Sequence, residues 1–118
     1  MLKKQSKKEK IIIEEFLNFK PVRENFEWFK TDENLVRIVV PKFKSKLGKK
    51  FCKLLGKDDT FTANLDEIGS LVWENCDGKH TVKEILEILE KKFPKEENML
   101  NRLILFLQQM RKLKYINY

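Results

Sequence analysis

Apolar and polar residues alternate or cluster in the first half of the chain in a pattern that predicts three short strands. Residues 26–30 (FEWFK) and 35–40 (LVRIVV) are rich in aromatic and β-branched types, and the polar residues 31–34 separate them, so they indicate a β-hairpin. Pro41 closes the second strand, because proline has no N–H to donate to a ladder. Residues 60–64 (TFTAN) alternate polar and apolar positions and predict a third strand.

Apolar residues at helical spacing predict one short helix before the strands and begin a helical region after them. The first pattern covers residues 11–20. The second starts from a capping-box pattern, Asn64-x-x-Glu67, and continues through apolar residues to Asp77-Gly78. We expect the helix to stop there, because glycine readily adopts the left-handed conformation that caps a helix.

Two further helices follow in the last third of the chain. Thr81-x-x-Glu84 is a second capping-box pattern, and a stripe of apolar residues behind it predicts a helix that ends before Pro94. We expect Glu96 and Glu97 in the first turn of the last helix, where acids suit the helix dipole. That helix is expected to end near residue 112 or 114.

The order of these elements predicts an α+β domain. A small three-stranded antiparallel sheet followed by three helices is typical of a winged helix-turn-helix-like fold. We expect residues 1–10 to be a basic flexible tail and residues 11–118 to form a single domain, with a lysine-rich insert at residues 42–57.

Charge distinguishes two parts of the chain from the rest. The 118 residues carry 25 Lys and Arg against 18 Asp and Glu. Residues 1–10 contain five Lys and one Glu, and residues 42–57 contain seven Lys and no acid. The remaining chain is therefore mildly acidic, which predicts a slightly negative domain with two basic appendages.

The lysine-rich insert has the pattern of an amphipathic helix. Its apolar residues fall within about 120° of one another on a helical wheel: they are Phe43, Leu47, Phe51, Leu54 and Leu55. Lys46, Lys49, Lys50 and Lys53 gather on the other side. Two interpretations remain open: the helix lies on the domain with its lysines in water, or it docks onto an acidic partner or an anionic membrane.

The composition argues against most catalytic sites. The chain has one histidine, His80, and two cysteines, Cys52 and Cys76, that form no CxxC pair. Its four glycines form no phosphate-binding loop. We therefore expect no cofactor, no metal and no enzymatic activity. The cysteine usage and the lack of a signal or membrane-spanning segment favour a cytoplasmic protein.

The segment LDEIGSLVWENCDGKHTVKEI, residues 65–85, resembles the PqqD family. Members pair an L-(D/N)-x-x-(G/A)-x-x-(I/V)-(W/L) stretch with D-G-x-x-(T/S)-V-x-x-I. The residues that match are Leu65, Asp66, Gly69, Val72, Trp73, Asp77, Gly78, Thr81, Val82 and Ile85. Within the motif we expect Trp73 in the core, Thr81 as a helix cap and both cysteines buried. The resemblance extends over residues 26 to 116, although the insert at 42–57 departs from the short turn of the protein that serves pyrroloquinoline quinone synthesis.

The resemblance implies a peptide-binding adaptor. PqqD-like domains bind the leader of a ribosomally made precursor peptide and present it to a modifying enzyme, often a radical SAM protein. The leader usually adds as a strand to the sheet edge beside the last helix. Carried onto this chain, that site comprises the third strand, Thr60, Phe61, Thr62, Ala63 and Asn64, and the last helix, Met99, Arg102, Phe106, Gln109 and Met110.

Two other classes of function stay open from the residues alone. A winged helix with a positive net charge is compatible with nucleic-acid binding, but Glu96 and Glu97 would bring negative charge to the first turn of a recognition helix. A peripheral membrane adaptor is compatible with the insert at 42–57. The sequence does not specify the precursor peptide, the modifying enzyme or the oligomeric state.

Overall fold

The computed structural model describes residues 7–42, 46–56 and 58–118. The helices in these ranges are α1 (Lys7–Leu17), α2 (Lys46–Leu54), α3 (Glu67–Asn75), α4 (Val82–Lys92) and α5 (Met99–Lys112). The strands are β1 (Val22–Arg23), β2 (Glu27–Lys30), β3 (Val36–Pro41), β4 (Thr60–Asn64) and β5 (Ile116–Asn117). The predicted α+β class with a small three-stranded antiparallel sheet is confirmed.

The described residues group into two compact units. One unit joins the described residues up to Glu24 to Leu71–Tyr118, and it contains α1, α4, α5 and the pair β1–β5. The other unit is Asn25–Ser70, with α2 and the sheet β2-β3-β4. Helix α3 begins in the second unit and continues in the first. A single domain over residues 11–118 stays a prediction.

Strand β3 forms the centre of the three-stranded sheet, between β2 and β4. Its side chains alternate: Val36, Ile38 and Val40 are buried, whereas Arg37 and Val39 are half-buried. This period-2 pattern is the one that a strand with a single buried face produces. The strand that the β-branched composition of residues 35–40 predicts thus has one buried face.

Polar residues build the turn between β2 and β3, as predicted. The hydroxyl oxygen of Thr31 accepts hydrogen bonds from the backbone N–H groups of Glu33 and Leu35 at 3.3 and 3.2 Å. Asn34 adopts a left-handed conformation with φ of 63°, which asparagine tolerates better than most residues. The predicted hairpin is confirmed, with Trp28 opposite Ile38.

The two capping-box predictions have opposite outcomes. At α4 the box is present, because the Thr81 hydroxyl accepts from the N–H of Glu84 while the Glu84 carboxylate accepts from the N–H of Thr81. At α3 the prediction is wrong: Asn64 is the last residue of β4. The cap is instead Asp66, whose carboxylate accepts from the N–H of Gly69 at 2.7 Å, a geometry that the nearby Asn64-x-x-Glu67 pattern obscured.

The first turn of α5 also differs from the prediction. The helix begins at Met99, and Asn98 precedes it in a left-handed conformation with φ of 57°. Glu96 and Glu97 therefore lie before the helix rather than in its first turn. The Glu96 carboxylate instead forms an ion pair with the guanidinium of Arg102 at 2.8 Å.

The first unit contains a pair of short strands that the sequence pattern does not predict. Strand β1 pairs antiparallel with β5, with Arg23 opposite Ile116. The Arg23 guanidinium also donates to the carbonyls of Trp73 and Glu74, both at 2.9 Å, where α3 ends. The carbonyl of Trp73 also accepts from the backbone N–H of Cys76 at 3.2 Å, so Arg23 adds to the hydrogen bonding at this helix C-terminus. Strands of two residues are too short for a periodicity signal.

The N-terminal segment is more ordered than a tail. Residues 7–10, which we predicted as part of a basic flexible tail, form the start of α1, and their side chains are exposed. The rest of the predicted tail, residues 1–6, lies outside the described residues. The predicted helix at 11–20 is confirmed as the remainder of α1, which ends at Leu17.

Candidate functional site

Strand β4 forms an edge of the three-stranded sheet, as a peptide-binding strand requires. Among the described strands it pairs only with β3. The N–H of Leu65 donates to the carbonyl of Val36 at 3.0 Å, and this bond sets the alternation of the antiparallel ladder. By that alternation the backbone groups of Phe61 and Ala63 face β3. The residues whose N–H and C=O groups face the outer edge are Thr60, Thr62 and Asn64.

The two faces of β4 differ in chemistry. Phe61 lies opposite Val40, and Ala63 lies opposite Ile38, so both share a face with the buried side chains of β3. Phe61 is nevertheless 45% exposed. The threonines and Asn64 occupy the other face. A strand added at this edge would therefore meet an apolar ring on one face and small polar side chains on the other.

The predicted site residues on α5 have unequal exposure. Met99 and Met110 retain only 4% of their exposure, so they are core residues and not an accessible lining. Phe106 is half-buried, and Gln109 is exposed. Arg102 is exposed but already pairs with Glu96, so a peptide carboxylate would compete with that ion pair.

One exposed apolar residue of α5 was not among the predicted site residues. Leu105 is exposed on this helix. Nothing in the sequence pattern distinguishes Leu105, except that it is an apolar residue on the polar side of the helical wheel. The predicted site residues thus belong to two compact units: the strand residues lie in one and the helix residues in the other.

Helix α2 settles one alternative for the lysine-rich insert. The exposed fractions of its apolar residues are 79% for Leu47, 58% for Phe51, 82% for Leu54 and 53% for Leu55. The interpretation in which this face packs on the domain is therefore wrong. The lysines are exposed as predicted, namely Lys46, Lys49, Lys50 and Lys53. Phe43, Lys44, Ser45 and Lys57 lie outside the described residues.

The cysteines are buried, as predicted. Cys76 is fully buried, and this burial raises the pKa of its thiol to about 12. The thiolate is the reactive form of cysteine, so this shift disfavours the reactive form of Cys76 near neutral pH. Cys52 is also buried.

The single histidine belongs to a helix-terminating loop. The Asp77 carboxylate accepts from the N–H groups of His80 and Lys79 at 3.0 and 2.8 Å, and His80 Nδ1 lies 2.9 Å from the other carboxylate oxygen. These hydrogen bonds, with the His80 N–H foremost, hold the pKa of Asp77 well below its usual range. Gly78 takes a φ of 77° between them. The cluster therefore stabilises the turn after α3.

The described part of the chain also bears on two other kinds of site. In residues 7–42, 46–56 and 58–118, no three side chains of His, Cys, Asp or Glu come together as a metal site would require. None of the helices in these ranges is both long enough and apolar enough to cross a bilayer.

Comparison with known proteins identifies the class to which this fold and this edge strand belong. The family model described as coenzyme PQQ synthesis protein D matches residues 54–116, more than half of the chain. The chain belongs to the PqqD family. The match includes β4 and α3 to α5 but not β2, β3 or most of α2, so it is shorter than the resemblance over residues 26 to 116. No curated protein and no solved structure matches the chain.

Proposed function

We propose that this protein is a non-catalytic adaptor that binds the leader of a ribosomally made precursor peptide. In this proposal it presents the peptide to a modifying enzyme of the radical SAM class, as the family resemblance implies. The observation that carries the proposal is the position of β4 at a sheet edge within a chain of the PqqD family. An edge strand offers unpaired backbone groups to an incoming chain.

Of the two edges of the sheet, β4 is the better candidate. The family match begins at residue 54 and therefore includes β4, whereas β2 ends at Lys30 and lies outside the match. The outer-face side chains of β4 are small, at Thr60, Thr62 and Asn64. Small side chains let a second backbone approach without steric conflict, which favours strand addition here.

Strand addition defines the contacts that the leader makes. Its backbone would pair with the outward N–H and C=O groups of Thr60, Thr62 and Asn64. One of its side chains would cover Phe61, which is 45% exposed. Backbone pairing supplies affinity and the Phe61 contact supplies selectivity for an apolar residue. On α5, Phe106 and Gln109 are the accessible members of the predicted site.

The decisive experiment removes one outward N–H from β4. Synthetic peptides that cover short open reading frames beside the gene are titrated into the protein by calorimetry. We expect Thr62→Pro to abolish binding, because proline has no N–H to donate and obstructs an added strand. Thr62→Ala keeps the backbone donor and should bind within about twofold of the wild type.

A matched proline controls for damage to the sheet. Lys30 has the same position relative to the ladder on β2, since its N–H also points away from β3. Lys30→Pro should therefore leave leader affinity unchanged. If Lys30→Pro and Thr62→Pro weaken binding equally while both variants remain folded, the β4 edge is not the site. Binding that persists in Thr62→Pro would also contradict the proposal.

A further inference from the structure

Helix α2 presents an uncovered apolar face on the surface of the protein. Leu47, Phe51, Leu54 and Leu55 fall within about 100° of arc on the helix. All four are more than half exposed. Leu55 continues the helix by one residue, because its N–H donates to the carbonyl of Phe51 at 3.1 Å. Four large apolar side chains on one short helix form a contiguous patch of the kind that marks an interaction site.

Lysines border this patch. Lys50 lies at the margin of the apolar arc, and Lys46, Lys49 and Lys53 lie farther round the helix. The helix contains no acidic residue. The nearest acids in sequence after it, Asp58 and Asp59, line a shallow depression of about 320 Å³ together with Lys49, Lys50 and Lys53. The four lysines of α2, including Lys46, thus outnumber these two aspartates.

The attachment of α2 leaves the apolar arc and the lysine side free at the same time. Cys52 is buried, so the protein covers the side of the helix that lies next to the apolar arc and away from Lys50. Gly56 follows the helix and adopts a left-handed φ of 67°, which caps the helix C-terminus. The helix is therefore held along one side, with its apolar and basic surfaces open.

We propose that α2 is an interfacial helix that binds the surface of an anionic lipid membrane. A bilayer surface places lipid phosphates and acyl chains at adjacent depths. The lysines of α2 match the phosphates, and its apolar arc matches the acyl chains. Lysine stems lie along apolar surface while their ammonium groups reach the phosphates. The leucines and Phe51 need no shaped pocket in a fluid acyl layer. The membrane, and not a protein groove, is therefore the occupant that fits this surface.

Sedimentation with lipid vesicles tests the proposal on the full chain. Vesicles of phosphatidylcholine alone are compared with vesicles that contain phosphatidylserine as well. We expect binding to the anionic vesicles, weakened by added salt because screening reduces attraction to the lipid phosphates. A lack of binding to the anionic vesicles would overturn the proposal, and so would equal binding to both kinds.

Two pairs of variants locate the contact. Leu47→Asn with Leu54→Asn should lower the partition coefficient at least tenfold, because these side chains would enter the acyl layer. The matched control is Leu105→Asn, which changes an exposed leucine on α5 and should leave binding unchanged.

The lysine variants test the contact with the lipid phosphates. Lys49→Gln with Lys53→Gln should lower binding at least fivefold. The control, Lys91→Gln with Lys92→Gln, removes the same charge from α4 and should leave binding unchanged.

The variants also distinguish insertion from simple charge attraction. If only the lysine variants weaken binding, the protein adsorbs electrostatically and α2 is not an interfacial helix. If neither pair at α2 weakens binding, the contact lies elsewhere. Phe51→Trp adds a direct readout: its fluorescence should shift to the blue on anionic vesicles and be quenched by brominated acyl chains beyond the wild-type signal. Failure of these tests leaves leader binding at β4 unaffected.

Discussion

The hydroxyl oxygen of Ser70 accepts a hydrogen bond from the backbone N–H of Val36 at 2.8 Å. The same hydroxyl lies 3.4 Å from the carbonyl of Leu65, to which it donates. The N–H of Leu65 in turn donates to the carbonyl of Val36. The Ser70 hydroxyl thus stands between the N–H of Val36 and the carbonyl of Leu65, which would otherwise bond to each other in the ladder. In this way it connects the β3–β4 ladder to the start of α3.

We expect Ser70→Ala to lower the free energy of unfolding by about 1–3 kcal/mol. Val36 and Ser70 are buried, so the N–H of Val36 would lose its partner where water does not replace it. Urea denaturation measures the change. Thr62→Ala removes a hydroxyl from an exposed residue of the same sheet and serves as the control, with an expected change within about 0.5 kcal/mol. Equal losses in the two variants would contradict a specific role for Ser70.

The capping box of α4 gives a second prediction. Thr81→Ala should cost about 1 kcal/mol of stability, because the N–H of Glu84 loses its acceptor. Thr81→Ser keeps the hydroxyl and should restore most of the loss. Thermal melts of the two variants measure the difference. A Thr81→Ser variant as unstable as Thr81→Ala would show that packing of the methyl group, and not the cap, matters.

The loop after α3 predicts a dependence of stability on pH. Hydrogen bonds from the N–H groups of His80 and Lys79 hold the pKa of Asp77 below its ordinary value. A carboxyl whose pKa is lower in the folded state stabilises the fold above its ordinary pKa of about 4, and that contribution is lost as the pH falls further. We therefore expect the free energy of unfolding to decrease between about pH 5 and pH 2.

Asp77→Asn tests the origin of this acid sensitivity. The variant should be less stable than the wild type at pH 7. The difference in free energy of unfolding should narrow as the pH falls, because the Asp77 carboxyl then takes up a proton in the unfolded wild-type chain before it does so in the folded one. Asp32→Asn, in the turn before β3, makes the same change in charge and controls for it. Urea titrations at several pH values measure the gap, and a constant gap would exclude Asp77 as the cause.

Phe106 on α5 gives a prediction that compares the effect of one substitution on leader affinity with its effect on stability. Phe106 is half-buried, so Phe106→Ala should cost less stability than the roughly 3–5 kcal/mol typical of a fully buried phenylalanine. If Phe106 contacts the leader, the same variant weakens binding by about 1–2 kcal/mol. Calorimetry and thermal melts measure the two effects. Unchanged affinity with a large loss of stability would assign Phe106 to the core alone.

Elements whose signal is local can be predicted from the residue pattern alone. The hairpin of β2 and β3, strand β4, the stop at Asp77-Gly78 and the cap at Thr81 each depend on residues within a few positions of one another. Periodicity and turn chemistry report such relations directly. The motif over residues 65–85 likewise identified the family, which the match over residues 54–116 confirmed.

Which side chains are covered depends on packing between elements that are distant in sequence. The resemblance places Met99 and Met110 in the peptide-binding site, yet both are buried, and the helical wheel allows the apolar face of α2 to be covered, yet that face is exposed. A wheel gives the direction of a side chain around its own helix but not what packs there. The partners of Arg23 and Ser70 are likewise distant in sequence, because long-range contacts leave no periodic trace in the chain.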